Sequence, residues 1–286
     1  MPPSPTASPT ASPTASPDPP AHLPAEGPAV PGPAARRRVF DAHLHIVDPR
    51  FPLTANHGYL PPTFTVADYL ARVASLGVTG GAVVSGSFQG WDRAHLLDAL
   101  RRLGPGFVGV TQLRADVADH TIRELDAAGV RAIRFNVRRG GSAALEGLDR
   151  LARRVHEPAG WHAELYLDAR DLPDLAPVLT ALPKVSIDHL GLSREGLPHL
   201  LRLVEGGAHV KATGFGRVDL DVPATLRAVA AVSPHALLAG TDLPSTRARR
   251  PFRDADLDVI AEAVGADLAP AVLHDNARAL YRPHRD

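Results

Sequence analysis

The chain has 286 residues, of which 44% are hydrophobic and 22% are charged, so it is able to bury a sizeable core. Its 31 basic residues balance its 31 acidic residues, and a formal net charge of +0 argues against nucleic acid or a membrane surface as a partner. Because the sequence contains no cysteine, disulfides, thiolate metal sites and a cysteine nucleophile are excluded.

The first segment, residues 1–36, is rich in proline, alanine, serine and threonine, and a Pro-Thr-Ala-Ser unit repeats from Pro5. Such a composition offers little apolar surface to offset the entropy of ordering, which predicts a disordered tail. The segment lacks the charged start and continuous apolar stretch of a signal peptide, and no apolar run is long enough to span a membrane. We therefore predict a cytoplasmic protein whose folded domain covers residues 37–286.

From Val39 onward, short apolar segments alternate with amphipathic ones. The predicted strands are Val39–Leu44, Gly81–Val84, Phe107–Thr111, Ala132–Phe135, Glu164–Leu167, Val185–Ile187, His209–Ala212 and Leu237–Ala239. The clearest predicted helices between them are Val66–Leu76, Arg93–Leu103, Thr121–Ala128 and Ala143–His156. This alternation predicts βαβ units and a parallel sheet, and eight units favour a closed (β/α)8 TIM barrel of the usual ~250 residues. An open dinucleotide-binding sheet is disfavoured, because no Gly-x-Gly-x-x-Gly turn follows the first strand.

Polar residues end several of these strands, which is where barrel enzymes place their active sites. The first strand leads through His43 to His45, and a period of two sets both imidazoles on the same side. A His-x-His pair is suited to binding a divalent ion or polarising a carbonyl. His189 follows the sixth strand and Asp242 the eighth. From the pattern alone, His189 fits a structural role equally well, and Asp242 could instead cap the next helix.

Four segments in order resemble the amidohydrolase-related family of the amidohydrolase superfamily. They are Asp41–His45, Gly129–Asn136, Ile187–Gly191 and Gly240–Pro244, and the stretch His274–Tyr281 is similar to that family's closing segment. The resemblance extends from Val39 to Tyr281 and is nearest to a lactone-processing branch. That branch includes 2-pyrone-4,6-dicarboxylate lactonase and sugar-acid lactone isomerases and hydrolases.

The resemblance implies that His43, His45 and His189 surround the scissile carbonyl and that Asp242 is the general base. It also implies that no binuclear metal centre forms, because Tyr166 stands where binuclear relatives have a bridging ligand. Two forms of the site stay open: one without a cofactor, and one in which His43, His45 and Asp242 hold a single zinc or manganese ion.

Substrate contacts are implied in the same way. The residues concerned are Arg134 and Arg217 for substrate carboxylates, and Tyr59, Tyr166 and Ser87 for hydroxyl contacts. The chain departs from the lactonase at Gly140, where that enzyme has a second arginine, although Arg138 and Arg139 immediately precede it. The second carboxylate contact is therefore open.

These observations predict a hydrolase that opens a small carboxylated lactone by water attack. The alternatives are a metal-dependent decarboxylase or a lactone isomerase of the same superfamily, and a non-catalytic anion-binding barrel. The sequence leaves open whether the protein is a homo-oligomer.

Overall fold

The structure is a computed structural model that describes residues 37–139 and 147–283. The predicted tail, Gly140 and the first residues of the helix expected from Ala143 lie outside this range. Among the described helices, none combines the length and the apolar character needed to cross a membrane.

Eight parallel strands in consecutive order form the centre of the described domain. They are β1 (Val39–Leu44), β2 (Val78–Val84), β3 (Phe107–Thr111), β4 (Val130–Phe135), β5 (His162–Leu165), β6 (Val185–Ile187), β7 (His209–Ala212) and β8 (Leu237–Ala239). The ring closes where Leu44 bridges to Leu243 just beyond β8, and the His45 amide donates to the Leu243 carbonyl at 2.7 Å. The prediction of a (β/α)8 barrel is confirmed.

Helices connect the strands and bury one face each. They are α1 (Val66–Val73), α2 (Ala94–Leu103), α3 (Asp119–Ala127), α4 (Leu148–Ala159), α5 (Leu172–Leu179), α6 (Leu197–Glu205), α7 (Val222–Val232), α8 (Ala255–Val264) and α9 (Asn276–Tyr281). Thr65 and Asp68 cap α1 reciprocally, which satisfies amides that the helix leaves unpaired. The apolar faces of α1 to α8 pack on the strands in one extended cluster, whereas Ala277, Leu280 and Tyr281 of α9 pack with Phe40 and Val84 in a second cluster.

Three strands, β2, β4 and β5, differ from the prediction, and β4 begins two residues earlier, at Val130. Strand β2 begins at Val78, ahead of two glycines that weaken any strand pattern. A side chain at Gly80 would lie 2.3 Å from the Gly106 carbonyl, so glycine allows the chains to approach closely there. Strand β5 is shifted by two residues because His162 already pairs with Ala132 of β4.

Candidate active site

The predicted site residues converge at the carboxyl ends of the strands. One pocket there is lined by seven of them, namely His45, Tyr59, Ser87, Arg134, Tyr166, His189 and Arg217. The other two, His43 and Asp242, are buried, and Nε2 of His43 lies 4.0 Å from Oδ1 of Asp242. The structure thus brings together all nine residues named from the sequence.

A register shift in β1 aims His43 into this site. Strict alternation would set Asp41 and His43 on the same side, but the pairing with β2 shifts between Asp41 and Leu44. Asp41 consequently faces α1, where its carboxylate accepts a hydrogen bond from the Tyr69 hydroxyl at 3.0 Å. His43 turns instead toward β7 and approaches Lys211 at 3.2 Å.

Three imidazoles surround one oxygen of Asp242. The Nε2 atoms of His43, His45 and His189 each lie 4.0 Å from Oδ1 of this carboxylate. That distance is too long for a direct hydrogen bond. The three Nε2 atoms and the Asp242 oxygen are therefore free of one another, and a substrate atom bound among them could contact more than one. Burial lowers the pKa of His45 to about 3 and lowers those of His43 and His189 well below the ordinary value. All three imidazoles are therefore neutral near pH 7.

Asp242 is neutralised by Arg217 and not by the histidines. Nε of Arg217 donates to Oδ2 at 2.6 Å, and Nη2 donates to Oδ1 at 3.1 Å. Burial raises the pKa of Asp242 above its ordinary value, and Arg217 opposes that rise. Two donors of Arg217 thus face the predicted base, a partnership that the sequence did not reveal.

Arg134 is anchored inside the barrel as well as lining the pocket. Its Nη2 donates to Oδ2 of buried Asp188 at 2.9 Å, and its Nη1 approaches the Ser85 carbonyl at 3.4 Å. The Nε atom is buried without a hydrogen-bond partner among the described residues. One Arg134 donor is therefore occupied by Asp188, and only the remaining N–H groups could bind a substrate carboxylate.

Further arginines line the mouth of the pocket. Arg139 and Arg247 both contribute to its wall, and the Arg247 guanidinium lies 4.3 Å from the centre of the Tyr59 ring. The Arg139 guanidinium lies 5.7 Å from the centre of the Tyr166 ring. This concentration of guanidinium groups around aromatic rings suits a planar anionic ligand.

Local hydrogen bonds fix one histidine tautomer. Nδ1 of His45 lies 2.7 Å from the Val84 carbonyl, which only accepts, so Nδ1 carries the proton and Nε2 presents a lone pair. Nδ1 of His189 lies 2.8 Å from the Thr213 hydroxyl. Because a hydroxyl either donates or accepts, that contact allows both tautomers of His189.

A basic side chain outside the predicted set of site residues lies next to His43. Lys211 of β7 is fully buried, and its Nζ lies 2.5 Å from Glu164 and 3.3 Å from Asp188. The only signal in the sequence was a lysine within an apolar strand, and its partners lie on β1, on β5 and just after β6. Local patterns carry no information about such contacts.

Two groups of residues among the described ones have donor atoms close enough to hold a metal ion. They are His43, His189 and Asp242 in the first group, and His43, Glu164 and Asp188 in the second. The first differs from the set expected from the sequence in having His189 in place of His45.

Gly214 allows His189 its position beside Thr213. Its φ is +62°, and a Cβ there would lie 2.6 Å from Nδ1 of His189. We expect Gly214→Ala to displace the imidazole and to lower kcat about 10- to 100-fold, since small misplacements of reacting groups are costly. The control is Gly207→Ala, which has φ +95° but open space around its Cβ. If both variants lose activity equally in steady-state kinetics, the displacement of His189 is not the cause.

A family model described as Amidohydrolase matches residues 40–282. The chain is 29% identical to the 2-pyrone-4,6-dicarboxylate hydrolase of Comamonas testosteroni, over 85% of this chain and 90% of that protein. It is also 29% identical to the 4-sulfomuconolactone hydrolase of Rhizobium radiobacter, over 89% of this chain and 96% of that protein. The apo crystal structure of an Agrobacterium tumefaciens protein superimposes with a TM-score of 0.78 at 24% identity, covering 89% of this chain and 99% of the other.

Proposed function

The chain belongs to the amidohydrolase family, and we propose that it is a hydrolase that opens a carboxylated lactone by attack of water. The observation that carries this proposal is the convergence of three neutral imidazoles on the Asp242 carboxylate, beneath a pocket lined by arginines. The curated relatives named above act on lactones according to their names, which supports the same bond type here.

In the proposed reaction, Asp242 accepts a proton from water as the water oxygen attacks the lactone carbonyl carbon. An imidazole N–H hydrogen-bonds the carbonyl oxygen and stabilises the oxyanion that develops there. The ring C–O bond then breaks, and the leaving oxygen takes up the proton that Asp242 holds. The products are a carboxylate and a hydroxyl on one opened chain, with a proton released to solvent near pH 7.

The charges at the pocket support an anionic substrate. Arg134, Arg139 and Arg247 line it, so an anionic group on the lactone would find guanidinium donors. The names of the two curated relatives specify a dicarboxylate and a sulfonated lactone, both of them anions. We therefore propose a lactone that carries at least one carboxylate, with hydroxyl contacts from Tyr59, Tyr166 and Ser87.

We propose that hydrolysis proceeds without a resident metal ion. In the second potential group, Nζ of Lys211 already lies within 3.3 Å of both carboxylates, which leaves that position to an ammonium. In the first, Asp242 is the only carboxylate and already forms two hydrogen bonds with Arg217. A divalent ion in either place would have to share its anionic ligand with a fixed cation, which is unfavourable at short range.

A panel of lactones tests this function. Pyrone dicarboxylates and aldonic and aldaric lactones would be offered to wild type, with and without a chelator, while proton release and products are followed. We expect proton release on carboxylated lactones that is indifferent to the chelator. A rearranged lactone without proton release would indicate an isomerase, and carbon dioxide would indicate a decarboxylase. If metal-replete protein converts none of the lactones, a non-catalytic anion-binding barrel is favoured. Loss of activity with the chelator would contradict the metal-free mechanism.

A further inference from the structure

The buried ammonium of Lys211 is surrounded by three acceptors. Nζ lies 2.5 Å from Oε2 of Glu164, 3.3 Å from Oδ1 of Asp188 and 3.2 Å from Nδ1 of His43. An ammonium has three N–H donors and no acceptor, and its contacts with Glu164 and His43 have hydrogen-bond geometry. The side chains of Lys211, Glu164 and Asp188 are all 0% exposed, so bulk solvent does not compete for these contacts.

The charges in this cluster balance. Lys211 and Arg134 are the basic members, and Glu164 and Asp188 are the acidic members, linked by the Arg134–Asp188 ion pair of 2.9 Å. Burial alone would favour the neutral acids, but Lys211 and the hydrogen bond from His162 hold the pKa of Glu164 below its ordinary value. Lys211 and Arg134 do the same for the pKa of Asp188. Next to ionised carboxylates, Lys211 stays an ammonium, which only donates hydrogen bonds. If Lys211 donates to Nδ1 of His43, that nitrogen must have a lone pair and no proton.

We propose that Lys211 is a positioning residue that fixes His43 in the tautomer with its proton on Nε2, so that His43 donates to the lactone carbonyl oxygen. The assignment of that oxygen as acceptor depends on the proposed lactone hydrolysis, whereas the tautomer itself does not. Lys211 acts through His43 and is not itself among the residues that line the pocket.

Two observations support this tautomer over the alternative. In the alternative tautomer, Nδ1 of His43 would donate to Oδ1 of Asp188, but that contact of 3.4 Å lacks hydrogen-bond geometry. The contact of Nδ1 with Nζ of Lys211 has that geometry. Nε2 of His43 is buried without a partner among the described residues. A buried N–H that faces Asp242 and the neighbouring imidazoles is then available for a substrate oxygen.

The His-x-His pair is thereby divided into two chemical roles. His43 presents an N–H at Nε2, while His45, held by the Val84 carbonyl, presents a lone pair at the same atom. A water molecule needs acceptors for its two protons, and the carbonyl needs a donor. Asp242 and His45 would supply the acceptors, and His43 would supply the donor, so the two histidines are not interchangeable.

The tautomer is directly measurable in the resting enzyme. Nitrogen-15 NMR of imidazole side chains distinguishes a protonated ring nitrogen from one with a lone pair, and comparison with His43→Asn assigns the signals. We expect a protonated Nε2 and an unprotonated Nδ1 for His43 near pH 7. A protonated Nδ1 would overturn the proposal, whatever the enzyme's substrate. A protonated Nε2 in a protein that is inactive on every lactone would leave the tautomer in place and refute the proposed function.

Variants test whether the tautomer depends on Lys211. Lys211→Met alone would leave Glu164 as an unpaired buried charge, so it is combined with Glu164→Gln. We expect kcat on the responsive lactone to fall about 100-fold, with a smaller change in KM, and the His43 signals to show Nδ1 protonation. The matched control is Lys184→Met, the other lysine of the chain, which is exposed. A folded double variant that keeps both kcat and the Nε2 proton of His43 would overturn the proposal.

Discussion

Asp242→Asn is expected to lower kcat by at least about 1000-fold while the protein stays folded, because the amide keeps the shape of the side chain and cannot accept the proton of water. The neutral amide also removes a buried charge whose ionised form is disfavoured by desolvation. The measurement is proton release on the responsive lactone, together with circular dichroism and thermal unfolding of both proteins.

The chain offers a matched control for this variant. Asp256 also forms two hydrogen bonds with an arginine, Arg250, both at 2.9 Å, but it lies outside the pocket lining. Asp256→Asn should therefore disturb an equivalent ion pair without loss of turnover. If Asp242→Asn retains wild-type kcat, or if the control loses as much activity, Asp242 is not the base.

Much of the fold could be predicted because its signals are local. The strands β1, β3, β6, β7 and β8 begin and end where the apolar segments predicted. Each is short, and β1, β3, β6 and β7 are followed directly by a polar residue, so the local sequence marks where they end. The boundaries were predicted less accurately where tertiary contacts decide them, as at Gly80, where a Cβ would collide with the Gly106 carbonyl oxygen.

The candidate site was predictable as a set of residues and not as a network. His43, His45, His189 and Asp242 could be named because each marks a strand end, which is a property of the local sequence. Their partners could not, since Arg217 reaches Asp242 from the loop after β7. Lys211 likewise meets Glu164 across the barrel. The chemical difference between His43 and His45 depends on such partners, and two histidines two residues apart look equivalent in the sequence.

The partnership of Asp242 with Arg217 also predicts a pH dependence. Burial raises the pKa of Asp242, and the charge and hydrogen bonds of Arg217 lower it, with burial the larger effect. Asp242 accepts a proton only when it is ionised, so kcat/KM should be maximal at high pH and should fall as the pH drops through the Asp242 pKa. This acid limb should lie above the ordinary aspartate value of about 3.9.

Removing the guanidinium should move this limb to higher pH. In Arg217→Met the opposing effect is lost while burial remains, so the Asp242 pKa rises further and a larger fraction of the enzyme is protonated at any acid pH. We expect kcat/KM on the acid side to fall about tenfold or more relative to wild type, and to recover in part as the pH is raised. Weaker binding of the substrate would lower kcat/KM equally at every pH. The pH at which the acid limb lies therefore separates a change in the Asp242 pKa from a loss of substrate binding. Arg250→Met is the matched control, because it removes the arginine of the Asp256 pair and should leave the limb in place. An unmoved limb in Arg217→Met would show that Arg217 does not tune the base, or that the group that titrates is not Asp242.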